Sequence, residues 1–277
     1  MYYAGPLRIL KNELLSAEEA EVEARFAELV QTRLDALIKE YHAGFGNVID
    51  TDRAREFCPE YCRSKASRTR FSRAVYQPAK ALADEIYRRN IRAAEAENGW
   101  RILFTSGGTG VGKSTALEWL SEAPQPGDDF DILVDGTLSD HQAAQEKIRE
   151  ALAVGHRVTV VHVHRAFGET VRMVVKRAVE KGRTVTLDNI AATHFRSRET
   201  LFRLVEEFGA RIKIRVLENR AGEPSRASSM AELAAKEGES IDRLRNLAHT
   251  VLANEFGTLK IDHPEIYEAF IQKGSRR

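Results

Sequence analysis

The sequence predicts an α/β protein in which a parallel sheet is flanked by helices. From residue 101 onward, short apolar runs alternate with helical segments that we place at 113–122, 139–153, 168–181 and 196–208. The apolar runs are RILFTS (101–106), DILVDGT (131–137), RVTVVHVH (157–164), RTVTL (183–187) and RIKIRVLE (211–218). Strands that alternate with helices of this length are joined by crossover connections, which build a parallel sheet with helices on its faces.

Composition and charge limit the kind of protein further. The chain has 277 residues, 43% of them hydrophobic, so it can bury a large core. Its 42 Lys and Arg residues nearly balance its 41 Asp and Glu residues, so we expect neither a nucleic-acid nor a membrane partner from overall charge. No apolar run reaches the roughly 18 residues of a membrane span, and the first residues lack the order of a secretion signal. We therefore expect a cytoplasmic protein.

Both ends of the chain are predicted to be helical. Residues 12–43 place apolar side chains at spacings of three and four, which is typical of an amphipathic helix or helix pair. We divide the chain into a helical extension (1–44), a core (45–222) and a second helical extension (223–277). Within the core, residues 45–98 hold an acidic strand with helices, and residues 99–222 form the nucleotide-binding part.

The most specific signal is a glycine-rich turn between the first apolar run and the next helix. Four residues separate Gly107 from the triplet Gly112, Lys113 and Ser114, which is the P-loop pattern in its expected strand-to-helix context. In such a turn, backbone N–H groups and the helix amino end surround phosphate oxygens. Lys113 is expected to contact the β- and γ-phosphates, and Ser114 to bind Mg²⁺. The predicted ligand is ATP, held by Gly107, Gly108, Thr109, Gly110, Val111, Gly112, Lys113, Ser114 and Thr115.

Asp135 is the second candidate for binding Mg²⁺. It lies at the carboxyl end of an apolar strand, where ligands gather in open parallel sheets. A carboxylate at that position can hold the metal directly or through water. The alternative is that Asp135 caps the helix that follows Ser139.

Together, these motifs resemble the zeta-toxin family of P-loop kinases. Five pieces carry the resemblance: VIDTD (48–52), GGTGVGKST (107–115), VDGT (134–137), the pair Arg177 and Arg183, and RVLENRAGE (215–223). They cover roughly residues 45–223. The resemblance implies a P-loop NTPase/kinase-like sheet with helical extensions at both ends, and an activity that uses ATP and Mg²⁺.

The resemblance also implies catalytic roles. Asp52 matches the carboxylate that orients the acceptor hydroxyl and accepts its proton, and Lys113 matches the P-loop lysine. Arg177 and Arg183 match the guanidinium groups that neutralise the transferred phosphoryl group. Simpler interpretations stay open: Asp52 caps a helix with Asp50, and each arginine ends a solvated helix or forms a surface ion pair.

Four further residues are assigned to binding. Asp50 and Thr137 are expected beside the phosphate acceptor, because they belong to the acidic strand end and to VDGT. Asn219 and Arg220 are expected beside the adenine, because they follow the last strand of the resemblance.

The order of the motifs departs from the family pattern. In the family the acidic strand follows the P-loop helix, whereas here VIDTD precedes the P-loop. Only about 20 residues separate Lys113 from Asp135, too few for the substrate-binding part that the family has there. We predict that the same strand enters the sheet from the amino-terminal side. LSDHQ (138–142) also lacks the arginine that the family carries after its acid-Gly-Thr, which leaves the acceptor open.

A basic run offers a further binding surface. RSKASRTRFSR (63–73) holds five positive side chains, of which we assign Arg63 and Arg70 to a phosphate group of the acceptor. Two alternatives are a solvated loop and a nucleic-acid contact.

The leading hypothesis is a Mg²⁺-dependent ATP kinase of zeta-toxin type. Its acceptor is predicted to be a small, nucleotide-linked molecule such as a UDP-amino sugar, and an antitoxin protein is the expected partner. One alternative is a polynucleotide 5′-hydroxyl kinase that uses residues 63–73 to hold a strand. The other is a P-loop ATPase module that drives a partner without phosphorylating an acceptor.

Overall fold

Six strands form one sheet in the computed structural model, which describes residues 7–93, 99–122, 129–236, 240–259 and 263–271. They are β1 (Val48–Asp50), β2 (Arg101–Ser106), β3 (Ile132–Asp135), β4 (Arg157–His164), β5 (Ile212–Glu218) and β6 (Arg226–Ser228). The spatial order is β1-β3-β2-β4-β5-β6, and every neighbouring pair is parallel except β5 and β6. The predicted α/β fold of P-loop-kinase type is confirmed.

Helices cover the faces and both ends of the sheet. Within the described residues they are α1 (Ala17–Thr32), α2 (Leu34–Phe45), α3 (Thr51–Ala54), α4 (Pro59–Cys62), α5 (Lys65–Phe71), α6 (Tyr76–Ala93), α7 (Lys113–Glu122), α8 (His141–Ala153), α9 (Phe167–Lys181), α10 (Leu187–Phe208), α11 (Met230–Ala234), α12 (Ile241–Leu259) and α13 (Pro264–Ile271). The predicted amino-terminal helix pair is confirmed as α1 and α2, and three of the four helices predicted after the P-loop strand match α7, α8 and α9.

The strand upstream of the P-loop lies at the edge of the sheet. β1 pairs in parallel with β3, and Asp50 stands opposite Asp135 in that pairing. On the other side of β1, the hydroxyl of Tyr41 from α2 accepts a hydrogen bond from the N–H of Asp50 at 2.9 Å. The same hydroxyl donates to the carbonyl of Val48 at 2.9 Å. The buried side chain of Tyr41 therefore pairs with backbone groups of Val48 and Asp50 at the edge of β1 that faces away from β3. The predicted entry of this strand from the amino-terminal side is confirmed.

The predicted strand RTVTL (183–187) is wrong, because this segment pairs with no strand of the described sheet. α10 begins at the end of the segment instead of at residue 196, and the side chain of Thr186 caps it. The hydroxyl of Ser72 donates to the carbonyl of Thr184 at 3.1 Å, so a side chain takes a backbone group that a sheet would otherwise pair. Of its β-branched residues, Val185 packs against the core formed by α9, α10, α12 and α13.

The largest core joins the sheet to the amino-terminal helices. Phe26 of α1, Tyr41 of α2 and Ile86 of α6 lie in one cluster with Phe104 of β2 and Ile132 of β3. Each is at most 1% exposed. Full burial of such side chains contributes about 1.5–3 kcal/mol each. The helices that hold β1 are therefore anchored in the same core as the P-loop strand.

A second core fixes the helices beyond β4. Val171 and Val174 of α9 and Ile190 of α10 pack with Leu244 of α12 and Phe270 of α13. All five side chains are nearly excluded from solvent. The carboxyl-terminal helices thereby set the position of α9, which carries the first of the two predicted phosphate arginines.

The division into an extension, a core and a second extension stays a prediction. We place one boundary between residues 98 and 99, and residues 94–98 lie outside the described residues. Both chain ends, 1–6 and 272–277, also lie outside them. In the part of the chain that the structure describes, no helix is both long and apolar enough to cross a membrane.

Candidate active site

A cleft of about 560 Å³ lies at the carboxyl ends of β1, β3 and β2. Most of its walls come from four parts of the chain: the end of β1 with the residues that follow it, the P-loop, the end of β3 with the residues that follow it, and α9 with the segment behind it. α6 and α10 add Tyr76, Asn189 and Thr193. The predicted site residues that line it are Asp50, Asp52, Thr109, Gly110, Gly112, Lys113, Ser114, Thr115, Asp135, Thr137, Arg177 and Arg183. The sheet therefore brings together residues that are widely separated in the sequence.

Glycines shape the P-loop between β2 and α7. Gly107, Gly110 and Gly112 have φ angles of 128°, 90° and 86°, a region that side chains disfavour. A Cβ on Gly110 would lie 2.4 Å from Cγ2 of Val174, so α9 also fills the space beside the turn. Gly107, Gly108 and Val111 belong to the turn but do not line the cleft. The contact with α9 therefore leaves no room for a side chain at Gly110.

Asn219 supports the P-loop from behind. Its side-chain amide donates to the carbonyls of Val111 and Gly112, both at 2.8 Å, and its oxygen accepts a hydrogen bond from the hydroxyl of Ser225 at 2.5 Å. The residue is 2% exposed. Neither Asn219 nor Arg220 lines the cleft, and Arg220 lies beside a glutamate at the end of β5. Asn219 therefore orders the turn, and the contact of Asn219 and Arg220 with the adenine stays a prediction.

Thr137 links the P-loop to the end of β3. Its carbonyl accepts a hydrogen bond from the N–H of Gly107 at 3.1 Å. Its hydroxyl lies 2.9 Å from the hydroxyl of Ser139. Both residues line the cleft, so VDGT contributes backbone support and a hydroxyl pair to one wall.

The acids at the ends of β1 and β3 lie side by side. Asp50 accepts a hydrogen bond from the N–H of Asp52 at 2.8 Å and thereby caps α3, so the capping interpretation is correct for Asp50. Burial, together with the charges of Asp52 and Asp135, raises the pKa of Asp50 to about 7. Like charges crowded at one strand edge favour either a shared proton or a bound cation.

Asp135 and Ser114 supply oxygen donors of the type that Mg²⁺ prefers. Both line the cleft. The hydroxyl of Thr105 donates to one oxygen of Asp135 at 2.6 Å, which orients the carboxylate. Asp135 does not cap α8, because the side chain of Asp140 occupies that position. The donor set therefore fits the predicted metal, in chemistry and in location.

Asp52 lies among positive charges. Its carboxylate is 3.1 Å from Arg55 and 3.8 Å from Arg183. Burial alone would raise the pKa of Asp52, but the charges of Arg55, Arg177 and Arg183, with that of Lys113, lower it overall. Asp52 does not cap the helix, so the simpler interpretation is incorrect for this residue. Its carboxylate is therefore held ionised inside the cleft.

The two predicted arginines are held differently. Arg183 donates to a carboxylate oxygen of Glu56 at 2.9 Å. Arg177 lies on α9, and the Nε atoms of both arginines are buried without a hydrogen-bond partner. Burial lowers the pKa of Arg177, and the nearby charges of Arg183 and Arg55 lower it further, against the opposing effect of Asp52. A phosphate group in the cleft would relieve this repulsion.

Arg55 is a site residue that the sequence analysis missed. It lines the cleft, its side chain is 11% exposed, and its guanidinium lies over the ring of Tyr76 at 5.4 Å. Its spacing of three residues from Asp52 is a helical contact spacing, which was available as a local signal. Tyr41, which fixes β1, carried no comparable signal.

Arg63 and Arg70 do not reach the cleft. Both are exposed, and Arg70 pairs with Glu18 of α1. Of the same basic run, Arg68 is paired with Glu56. The run forms α5, so its side chains point in several directions and the structure gives Arg63 and Arg70 no contact with the other predicted residues.

Comparison with known families identifies part of this site. Residues 127–226 match the family model described as zeta toxin. Over that segment the chain is similar to the zeta toxin family. The zeta toxin match runs from before β3 to the first residue of β6 and includes Asp135, Arg177 and Arg183. The P-loop and β1 lie upstream of it, as the altered motif order leads one to expect.

Whole-chain comparisons are less informative. None of the curated proteins matches the chain. Six solved chains match, among them one from a molecular and structural characterization of the PezAT chromosomal toxin-antitoxin system of Streptococcus pneumoniae. It is 12% identical, covers 88% of this chain and 98% of its own length, and gives a TM-score of 0.39. A score this low adds nothing to the fold described above.

Proposed function

We propose that the protein is an ATP-dependent kinase of zeta-toxin type, which transfers the γ-phosphate of ATP to a hydroxyl of a small acceptor. The position of Asp52 supports this function most strongly. Its carboxylate lines the same cleft as Lys113 of the P-loop and lies beside two of the three cleft arginines. A phosphoryl-transfer site needs this combination of an acceptor-orienting carboxylate, a phosphate cradle and neutralising cations.

The nucleotide side of the cleft would hold the triphosphate. N–H groups of the P-loop and the amino end of α7 face the β- and γ-phosphates, and Lys113 adds a full positive charge. Ser114 and Asp135 are the residues that would hold Mg²⁺. When bound, Mg²⁺ would neutralise charge on the phosphate oxygens.

The acceptor side would carry out the transfer. Asp52 orients the acceptor hydroxyl and takes its proton while the acceptor oxygen bonds to the γ-phosphorus. The bond from that phosphorus to the β,γ-bridging oxygen breaks, and ADP leaves with the electron pair. Arg177 and Arg183 neutralise the charge on the transferred group. A positioned base contributes roughly 10²- to 10⁴-fold to such a step.

The acceptor and the partner complete the proposal. We expect a nucleotide-linked acceptor such as a UDP-amino sugar, although LSDHQ (138–142) lacks the arginine that the family carries after its acid-Gly-Thr. The family description supports a toxin role. We propose an antitoxin protein as the partner. Because the reaction consumes ATP, the expected location is the cytoplasm.

The reaction is tested by incubating the protein with γ-labelled ATP and a pooled metabolite extract, and separately with oligonucleotides that carry a 5′-hydroxyl. Asp52→Asn is compared with Asp84→Asn, because Asp84 is also a paired, partly buried carboxylate but lies on α6 outside the cleft. We expect label on a small metabolite, a loss of at least about 100-fold with Asp52→Asn, and little change with Asp84→Asn.

The other outcomes decide between functions. Label on the oligonucleotide end would indicate a polynucleotide kinase, and release of free phosphate alone would indicate an ATPase module. Equal labelling by Asp52→Asn and wild type would remove Asp52 from the reaction.

The toxin role has its own test. Induced expression in a bacterial host should arrest growth with the wild-type protein, and Asp52→Asn should grow normally at the same protein level. Growth arrest by both proteins would separate toxicity from phosphoryl transfer, and growth of both would exclude a toxin in that host.

A further inference from the structure

A second pocket adjoins the cleft. It has a volume of about 370 Å³ and is formed between the start of α6, the start of α10 and α12. The two cavities share five lining residues: Arg55, Tyr76, Thr184, Val185 and Asn189. Because they share a wall, one ligand can extend from the cleft into this pocket.

Most of the charged residues that line the second pocket are positive. Four arginines face one carboxylate, that of Asp188, and we call it the arginine pocket: Arg55, Arg73, Arg196 and Arg245. They come from four distant parts of the chain: the turn after α3, the segment before α6, α10 and α12. A surplus of positive charge in one concave site is unfavourable unless an anion shares it.

The pairing of these arginines leaves capacity for a ligand. Arg245 is paired with Asp188 at 2.8 Å and with Asp242 at 2.7 Å. Arg55 is paired with Asp52 at 3.1 Å, so the carboxylates in and beside the pocket are already engaged. Arg196 is exposed and forms no ion pair or hydrogen bond with a described residue. The Nε of Arg55 is buried and lacks a hydrogen-bond partner. At least two guanidinium groups therefore have unused donors.

We infer that the arginine pocket binds a phosphate group of the acceptor whose hydroxyl faces Asp52. This inference rests on the proposed function. Planar guanidinium forks match the oxygens of a phosphate ester or diphosphate, and several forks around one group favour phosphate over a single carboxylate. The pocket also supplies the positive charge that is missing after VDGT, and Arg73 is the one member of the basic run that reaches it.

The first test measures anion binding without catalysis. Inorganic pyrophosphate is titrated calorimetrically into protein saturated with ADP, in the absence of Mg²⁺, so that the P-loop is occupied. Arg196→Ala is compared with Arg203→Ala, an exposed arginine on the same helix outside both cavities. We expect Arg196→Ala to weaken pyrophosphate binding roughly tenfold or more and Arg203→Ala to leave it within about twofold. Equal affinities for the two variants would overturn the inference.

The second test asks whether the anion belongs to the acceptor. The metabolite extract is treated with alkaline phosphatase or nucleotide pyrophosphatase, the enzymes are removed, and labelling is repeated. Labelling should be lost after treatment, and Arg196→Ala should raise the acceptor KM about tenfold with little change in kcat, as expected for a binding contact away from the reacting atoms. Labelling that survives both treatments would overturn the inference. Absence of label before treatment would instead contradict the proposed function, whatever the pyrophosphate titration shows.

Discussion

The two sides of the cleft are built in different ways. The nucleotide side is mainly one continuous stretch, residues 101–115, in which β2, the P-loop and the start of α7 follow each other directly; Asp135 is added from the end of β3. The acceptor side combines Asp52, Arg177 and Arg183, which come from the turn after β1 and from α9 and the segment behind it. The nucleotide side therefore depends on local backbone geometry, whereas the acceptor side depends on packing between distant elements. Substitutions on the two sides should therefore differ in their effects on phosphoryl transfer, ADP affinity and stability.

The largest expected effect is on the acceptor side, at Arg177. Arg177→Ala removes a cation from the transferred group and should lower phosphoryl transfer by roughly 10³-fold. Because Arg177 is buried, its Nε has no partner, and Arg183 and Arg55 repel it against the attraction of Asp52, the melting temperature should stay the same or rise. Labelling rates and thermal melting of Arg177→Ala and of Arg172→Ala, an exposed arginine on the same helix, provide the check. A fall in both rate and stability would indicate a structural role.

On the nucleotide side, adding one methyl group to the P-loop should weaken ADP binding. Gly110→Ala places a Cβ against Val174 at a φ of 90°, so the turn must move. We expect ADP affinity to fall at least about tenfold, since the phosphate N–H donors lose their alignment. Equilibrium titration with ADP measures this, and Gly136→Ala is the control, because its Cβ would meet nothing within 4 Å. Normal ADP affinity in Gly110→Ala would show that the P-loop adapts.

A smaller effect should come from the residue that holds β1. Tyr41→Phe removes a hydroxyl that bonds both Asp50 and Val48, and should destabilise the fold by about 1–2 kcal/mol. Because β1 leads directly to Asp52, transfer should fall more than ADP affinity does. Chemical denaturation checks the loss of stability, and labelling rates and ADP titration measure transfer and ADP affinity. Equal losses in both would mean that β1 supports the whole sheet and not the acceptor side in particular.

The smallest effect is a pH dependence at Asp50. Its pKa of about 7 exceeds the value of roughly 4 expected in the unfolded chain, so the folded state retains a proton that the unfolded state releases between those values. Stability from this group is present below about pH 4 and is lost as pH rises towards 7. Asp50→Asn should therefore gain melting temperature relative to wild type between pH 5 and 8, by about 2–4 °C per kcal/mol. The melting temperatures of both proteins are measured against pH without Mg²⁺ or nucleotide. Curves that run parallel over this range would contradict the raised pKa of Asp50.

The same contrast explains how much the sequence revealed. The P-loop and the strands beside it are local patterns, and apolar runs of four to eight residues predicted them at nearly the observed bounds. RTVTL (183–187) has an equally good strand pattern, but the contact between Ser72 and Thr184 decides its structure. Local patterns predict an element only where distant contacts do not compete.

The acceptor side was predicted through resemblance and only in part. Asp52, Arg177 and Arg183 matched family motifs, whereas Arg55 lay outside them and was missed. Arg63 and Arg70 were chosen from the composition of a basic run, yet the direction of each side chain depends on how α5 packs against α1. Composition alone carries no such direction: of the positive side chains in the run, Arg73 lines the second pocket, and Lys65 and Arg68 line a third pocket that also includes Arg183.

The central claim is that a strand from upstream of the P-loop delivers Asp52 to the γ-phosphate, opposite two arginines. A crystal structure with ADP, Mg²⁺ and aluminium fluoride, which mimics the phosphoryl group in transfer, tests this most directly. We predict that the carboxylate of Asp52 and the guanidinium groups of Arg177 and Arg183 surround the fluoride group within hydrogen-bonding distance of it or of the nucleophilic water. A fluoride group held by the P-loop alone, with Asp52 turned away from it, would contradict the account.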